Sequence, residues 1–183
     1  LTSAQVAVLT TSQLANLNSD LLAAMTSDQV AKFSTNPLNN LTTDQLSSMS
    51  TDQSVGLTTT QLRSLTAQNL QALSTDVVAK LSTSQLQALS TSQVQNLSTA
   101  QAAALTSDQI RSLSSDQIKA IETRDIANLK TDQIAKLTTD QISKLTTQQL
   151  GAMTGLQVAA ISSDAIAKLT TDQIVGLTSG QVS

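Results

Sequence analysis

No histidine, cysteine, tryptophan or tyrosine occurs in the 183 residues, and Phe33 is the one aromatic side chain. The missing thiols and imidazoles remove the usual soft metal ligands, two nucleophiles and the side chain that most often moves protons in catalysis. An enzyme is therefore not expected, and the sequence nominates no catalytic, cofactor-binding or metal-binding residue. Without aromatics, a globule of this length lacks the side chains that normally fill a thick core. The 39% hydrophobic residues are nearly all Leu, Ile, Val and Ala, which suit a thin core shared between adjacent units. A net charge of −3 and a pI near 4.6 argue against nucleic acid, which asks for a basic stripe and stacking aromatics. No apolar run approaches the roughly 20 residues of a membrane span, so membrane insertion is not expected. No N-terminal signal segment is evident. A small-molecule ligand is not expected either.

What the chain does have is a period of eight. With Leu1 as position one, every first position down to Leu177 is Leu, Ile, Met or Phe. Position two is Ser, Thr or Asn except at Glu122 and Lys130, and position five is mostly Gln. A fixed period carried through the whole length marks a repeat array. The expected organisation is one repeat array over residues 1–183. It begins in phase on Leu1 and stops seven residues into an octad. Solenoids usually carry atypical polar caps, and neither end reads as one, so an internal piece of a longer array is expected.

One octad reads as a very short helix. Ser or Thr followed three residues later by Gln is a capping box, in which side chains and backbone N–H groups at a helix start satisfy one another. Positions one and six, such as Leu137 and Ile142, are spaced as a hydrophobic staple. Asp at position four falls in the first turn, where the helix dipole favours it. Each octad should start a helix at its third position, with the next Leu–Thr pair as the corner. Helices this short exist only through packing against their neighbours. Acid–base pairs four residues apart (Asp28–Lys32, Asp76–Lys80, Asp132–Lys136, Asp140–Lys144 and Asp164–Lys168) are in the favourable helical order.

Two rival folds fail. A continuous helix would drift about 80° per octad and smear its apolar stripe around the surface, and would bury Thr pairs in mid-helix. A β-solenoid needs inward residues at even spacing, whereas positions one and six differ by five. The fold class read from the sequence is all-α, an α-solenoid or superhelix of about 23 eight-residue repeats, each a very short capped helix. If two octads made one turn, with helices packed about 10 Å apart, the array would be a rod of roughly 110 Å.

Some octads depart from the pattern. Pro37 stands where Gln is usual, and the first helical turn tolerates it. Ser54 occupies an apolar position beside Val55, which predicts a local slip or a shallow packing defect. Ala102 is a small core residue. Gly155 and Leu156 replace the polar first turn and predict an exposed Leu156. Glu122, Arg124, Asp125 and Lys130 make residues 121–130 the most irregular polar segment.

The octad L-[ST]-[ST]-x-Q-[IVL]-x-x, clearest at Leu129–Gln149, resembles tandem repeats of very large bacterial exoproteins labelled haem-utilisation or adhesion proteins. The resemblance implies a secreted or cell-surface location. It carries no haem site here, since Met25, Met49 and Met153 sit at core positions and no other haem-ligating type occurs. The function expected is a structural module: a rod-like spacer or fibre segment of an adhesin-type surface protein. Self-association into fibres is one expected partnership. An interaction scaffold binding a protein or glycan along the solenoid is the first alternative. Ice binding by the Ser/Thr array at position three is the second. The Asp column of position four raises calcium, but one Asp per octad supplies too few oxygens for an ion that takes six to eight. Asn40-Leu41-Thr42 and Asn96-Leu97-Ser98 match the glycosylation sequon, with Thr42 and Ser98 doubling as cap residues.

Overall fold

In the computed structural model, which describes residues 1–177 and 181, helix follows helix in phase with the octads. Twenty-two helices run from α1 (Ser3–Ala7) to α22 (Thr171–Val175), none longer than six residues, and no strand occurs among the described residues. The chain is all-α and its tandem units pack on their neighbours, as a solenoid requires. Every one of these helices begins at position three, with its N-cap at position two in extended conformation.

The local hydrogen bonds explain the shape of a unit. In α8 (Thr59–Ser64) the Thr58 hydroxyl accepts from Gln61 N–H at 3.2 Å, and Gln61 Oε1 accepts from Thr58 N–H at 2.7 Å. Leu62 N–H donates to Thr58 C=O at 3.0 Å, and the corner Leu65 N–H donates to Leu62 C=O at 3.2 Å. Few backbone groups of so short a helix find partners within it, so the cap box supplies much of its closure. The same box recurs in most octads, for example at Thr106 with Gln109 and at Thr138 with Gln141.

The core consists of positions one and six. Leu62, Leu70, Ile110, Ile118 and Ile126 are fully buried at position six, and Leu65, Leu113 and Leu129 line the corners at 4% exposure. By contact the chain divides into two compact units, Leu1–Asn96 and Leu97–Ser183. Inside each unit a helix packs on the third helix along. In the first, α4 (Ser27–Val30) lies between α1 and α7 (Thr51–Gly56). In the second, α18 (Thr139–Lys144) lies between α15 (Ser115–Ala120) and α21 (Ser163–Ile166). A superhelical turn within a unit is therefore longer than the two octads assumed for the 110 Å rod.

The irregular octads keep phase. Ser54 causes no slip: it is fully buried in α7, its hydroxyl donates to Thr51 C=O at 2.6 Å, and Val55 turns outward at 65% exposure. A local carbonyl satisfies the hydroxyl, so the polar residue fits the apolar slot. Pro37 is buried in α5 (Thr35–Asn39), and Ser34 makes no side-chain cap bond there. Proline has no N–H to offer that hydroxyl, yet its fixed φ suits a first turn. Ala102 is buried and Leu156 is 76% exposed, both as expected.

The five Asp–Lys pairs do not close. Among the described residues the ion pairs are those of Arg124, with Glu122 and Asp125. The helices end at or before the lysine: Lys136 is a C-cap, and Lys32 and Lys168 lie beyond theirs. Asp76–Lys80 and Asp140–Lys144 lie wholly inside α10 (Thr75–Lys80) and α18, yet an exposed pair gains little against the side-chain entropy that holding it costs.

Candidate functional site

The most organised polar feature is the glutamine column at position five, and it faces inward. Gln53, Gln61, Gln133, Gln141, Gln149 and Gln157 are each 1–2% exposed, although glutamine is ordinarily a surface residue. Burial of an amide is tolerated only where its donors and acceptor are all met. The Oε1 serves the helix's own cap, and Nε2 reaches down to the turn beneath. Gln61 Nε2 donates to Val30 C=O and Phe33 C=O, both at 2.9 Å. Gln93 Nε2 donates to Leu62 C=O at 2.7 Å and Leu65 C=O at 2.9 Å. In the second unit, Gln157 Nε2 donates to Ile126 C=O at 3.0 Å and Leu129 C=O at 2.7 Å. Gln29 begins the series by donating to Leu1 C=O.

The partners lie 28 and 31 residues earlier, so one turn takes about three and a half to four octads. The nearer partner is a corner residue, such as Leu65 in extended conformation (φ −60°, ψ 137°). Its carbonyl is outside any helix and buried beside the core, where a missing hydrogen bond would be costly. The glutamine amide thus acts as an inserted peptide group: it receives an N–H from its own corner and gives one to the corner below. Position seven adds occasional links of the opposite sense, as when Asn39 Nδ2 donates to Ser64 C=O at 2.6 Å and Gln71 Nε2 to Asn96 C=O at 2.6 Å.

Where position five is not Gln, the link changes. Asn69 is shorter and reaches Asn39 C=O at 2.8 Å, while Thr66 still caps its N–H. Asn39 Oδ1 is left as a buried oxygen with no partner. Val77 and Ala165 keep only the hydroxyl half of the box, from Ser74 and Ser162. Ala165 is fully buried in a helix of four residues. Ala165→Gln should therefore stabilise the fold by about 1 kcal/mol, the net worth of an ordinary hydrogen bond, by returning an amide donor to Leu137 C=O. Urea unfolding monitored by circular dichroism checks this, and an unchanged or lower midpoint would count against it.

The outward columns are less organised. The position-four aspartates, Asp44, Asp108 and Asp140 among them, are exposed, and among the described residues no three acidic groups gather as a metal-holding cluster. Position three varies between half-buried and exposed, as at Thr99 and Thr91. Sequon residues Asn40 and Asn96 turn their amides onto Asn36 C=O and Ser92 C=O, at 2.9 and 2.8 Å. Leu41 and Leu97 between them and their hydroxyl residues are buried, which makes both sequons poor acceptors. The surface depressions are open clefts between successive turns, one lined by Thr43, Asp44, Ser47, Gln68, Gln71 and Ala72. Among the described residues no helix is long and apolar enough to cross a membrane.

The position-five amide and the Leu–Thr corner are the parts of the octad that a family pattern would register. Residues 78–115 and 118–155 match the ALTTAQ repeat. The two ALTTAQ matches begin 40 residues apart, a whole number of octads but not of superhelical turns. The shared pattern is therefore that of the octad itself, and a tandem structural repeat is what the likeness supports. No curated protein matches the sequence.

Sequence reasoning found each of these residues but assigned the glutamine to its local cap alone. Its second partner is a backbone carbonyl four helices earlier, which any residue type can supply, so no side-chain pattern announces it.

Proposed function

We propose that the chain is a non-catalytic structural module, a spacer or fibre segment of a secreted or cell-surface protein of adhesin type. The observation that supports this reading is where the repeated residues are used. Leu and Ile form the core, Ser or Thr caps the helix, and Gln joins one turn to the next. The consensus residues of positions one, two, five and six thus serve the array itself. Positions four, seven and eight, which lie outside the core, are the ones that vary from octad to octad. A function that depends on length and not on one site tolerates such variation. The surface location rests on the resemblance to repeats of bacterial exoproteins.

The test is small-angle X-ray scattering on this chain and on an in-phase duplication of it. A spacer grows along one axis, so its maximum dimension should nearly double. A compact body would grow only about 1.3-fold in radius of gyration, following the 0.38 power of length. Growth on that lower scale would remove the spacer reading. Capture of a defined glycan or protein with a saturable melting shift would favour the scaffold instead. Thermal hysteresis would favour ice binding.

A further inference from the structure

Two departures coincide at α16 (Thr123–Asn128) in a way that no capped octad shares. Glu122 stands at the cap and makes no side-chain cap bond, and Asp125 stands in place of Gln. At Asn69, Val77 and Ala165 the glutamine is also missing, but a hydroxyl still caps each helix. At Lys130 the hydroxyl is missing, but Gln133 Oε1 still accepts from Lys130 N–H at 2.7 Å, and its Nε2 still donates to Ala102 C=O and Leu105 C=O. Pro37 loses both elements too, but proline brings no N–H needing a partner and stiffens the chain. Among the described residues, only α16 loses both while burying a charge: Asp125 is 2% exposed.

What holds Asp125 is weaker than the link it replaces. A carboxylate cannot donate to the corner carbonyls below. It accepts from Thr99 Oγ1 at 2.5 Å, a short charge-assisted bond, and among the described residues that is its one inter-turn hydrogen bond. Arg124 Nε lies 3.5 Å from it and 2.9 Å from Glu122, and the arginine side chain is 67% exposed, so solvent screens its help. Burying a carboxylate with incomplete compensation costs more than burying a neutral amide whose three partners are met. From above, the segment is held normally, by Gln149 on Ile121 C=O and by Gln157 on Ile126 C=O and Leu129 C=O.

We infer that residues 121–130 are a built-in opening point, where a turn of the superhelix parts from the turn beneath it more readily than at regular octads of the same unit. The inference concerns the fold. Its use, as a compliant point in a spacer under load, rests on the proposed function.

Hydrogen exchange read by mass spectrometry on the 183-residue chain tests it. Peptides over residues 121–130 should exchange roughly 10- to 100-fold faster than those over 138–146, as local opening predicts. Glu122→Thr with Asp125→Gln should bring the segment to the rate of its neighbours, because it restores both halves of the box and the amide donor. Thr99→Val should raise the rate further, by removing the remaining inter-turn bond. Equal exchange in the parent chain would overturn the inference, as would fast exchange that persists in the restored variant. Neither outcome depends on whether the array serves as a spacer.

Discussion

Gln141→Glu should lower stability by about 3–5 kcal/mol at neutral pH, the cost of a buried charge left without its partner, and should return most of that loss in acid. Gln141 is 2% exposed. Its Oε1 accepts from Thr138 N–H at 2.8 Å, and its Nε2 donates to Ile110 C=O and Arg111 C=O, both at 3.2 Å, and to Leu113 C=O at 2.6 Å. Glutamate keeps the shape and the cap acceptor but presents a second acceptor to three carbonyls. Burial and those carbonyls disfavour the charged form, so the folded-state pKa of the new carboxyl lies above its unfolded value. The unfolded value is about 4.3. The penalty is therefore absent below about pH 4, grows as pH rises through the folded pKa, and is constant beyond it. Protonated, the carboxyl donates to Leu113 C=O again. Urea unfolding of the parent and variant at pH 7.5 and pH 3.5 provides the comparison. Gln13→Glu is the control, since Gln13 is exposed and serves only its own cap. A loss for Gln141→Glu that is equal at both pH values, or no larger than that of the control, would contradict the assignment.

The second large effect is expected at Gly56, at the end of α7. Its φ is negative, so the glycine is not there for backbone freedom. It is there because another turn approaches. A Cβ on Gly56 would lie 2.1 Å from Ser27 C=O oxygen and 2.7 Å from the Ser27 Cα and carbonyl carbon. These are backbone atoms that no rotamer change can move. Alanine in a helix normally gains up to about 1 kcal/mol over glycine, but overpacking against fixed atoms costs about 1–3 kcal/mol or more, and the clash decides the sign. Gly56→Ala should therefore destabilise the first unit, with a lower urea midpoint. Gly176→Ala is the contrast: its nearest neighbour is Thr147 Cβ at 3.2 Å, a tight contact relieved by a shift of a few tenths of an ångström, so its loss should be much smaller than that at Gly56. Matching effects at the two glycines would argue against the close approach of turns.

The local unit was legible because its signals are side-chain identities at fixed spacing. Thr138 with Gln141 announces the box, Leu137 with Ile142 the two core columns, and the next Thr–Thr pair the end of the helix. Helix starts at position three follow directly. The superhelical turn was not legible, because the bond that sets it runs from Gln141 to the main chain of Leu113. A carbonyl leaves no trace in the sequence that would pair position five with a residue 28 earlier. Ser54 misled for a related reason: composition shows a hydroxyl in an apolar slot but not the Thr51 carbonyl that satisfies it. The Asp140–Lys144 spacing misled in turn, because it marks residues that a helix brings within reach and not whether two exposed side chains gain enough to close. The candidate functional residues were all visible as types, and what escaped was the direction of one of them: of the repeated polar columns, glutamine faces in, while the Ser/Thr of positions two and three face solvent.

The glutamine column is the centre of this account, and the exchange of its side-chain amide protons tests it most directly. In nitrogen-resolved magnetic resonance, the Nε2 protons of Gln93, Gln133, Gln141 and Gln157 should exchange with solvent at least about 100-fold more slowly than those of Gln5 and Gln13, since they are released only by local opening. If the buried and exposed glutamines exchanged at one common rate, the turns would not be joined by their amides, and another force would have to hold the superhelix together.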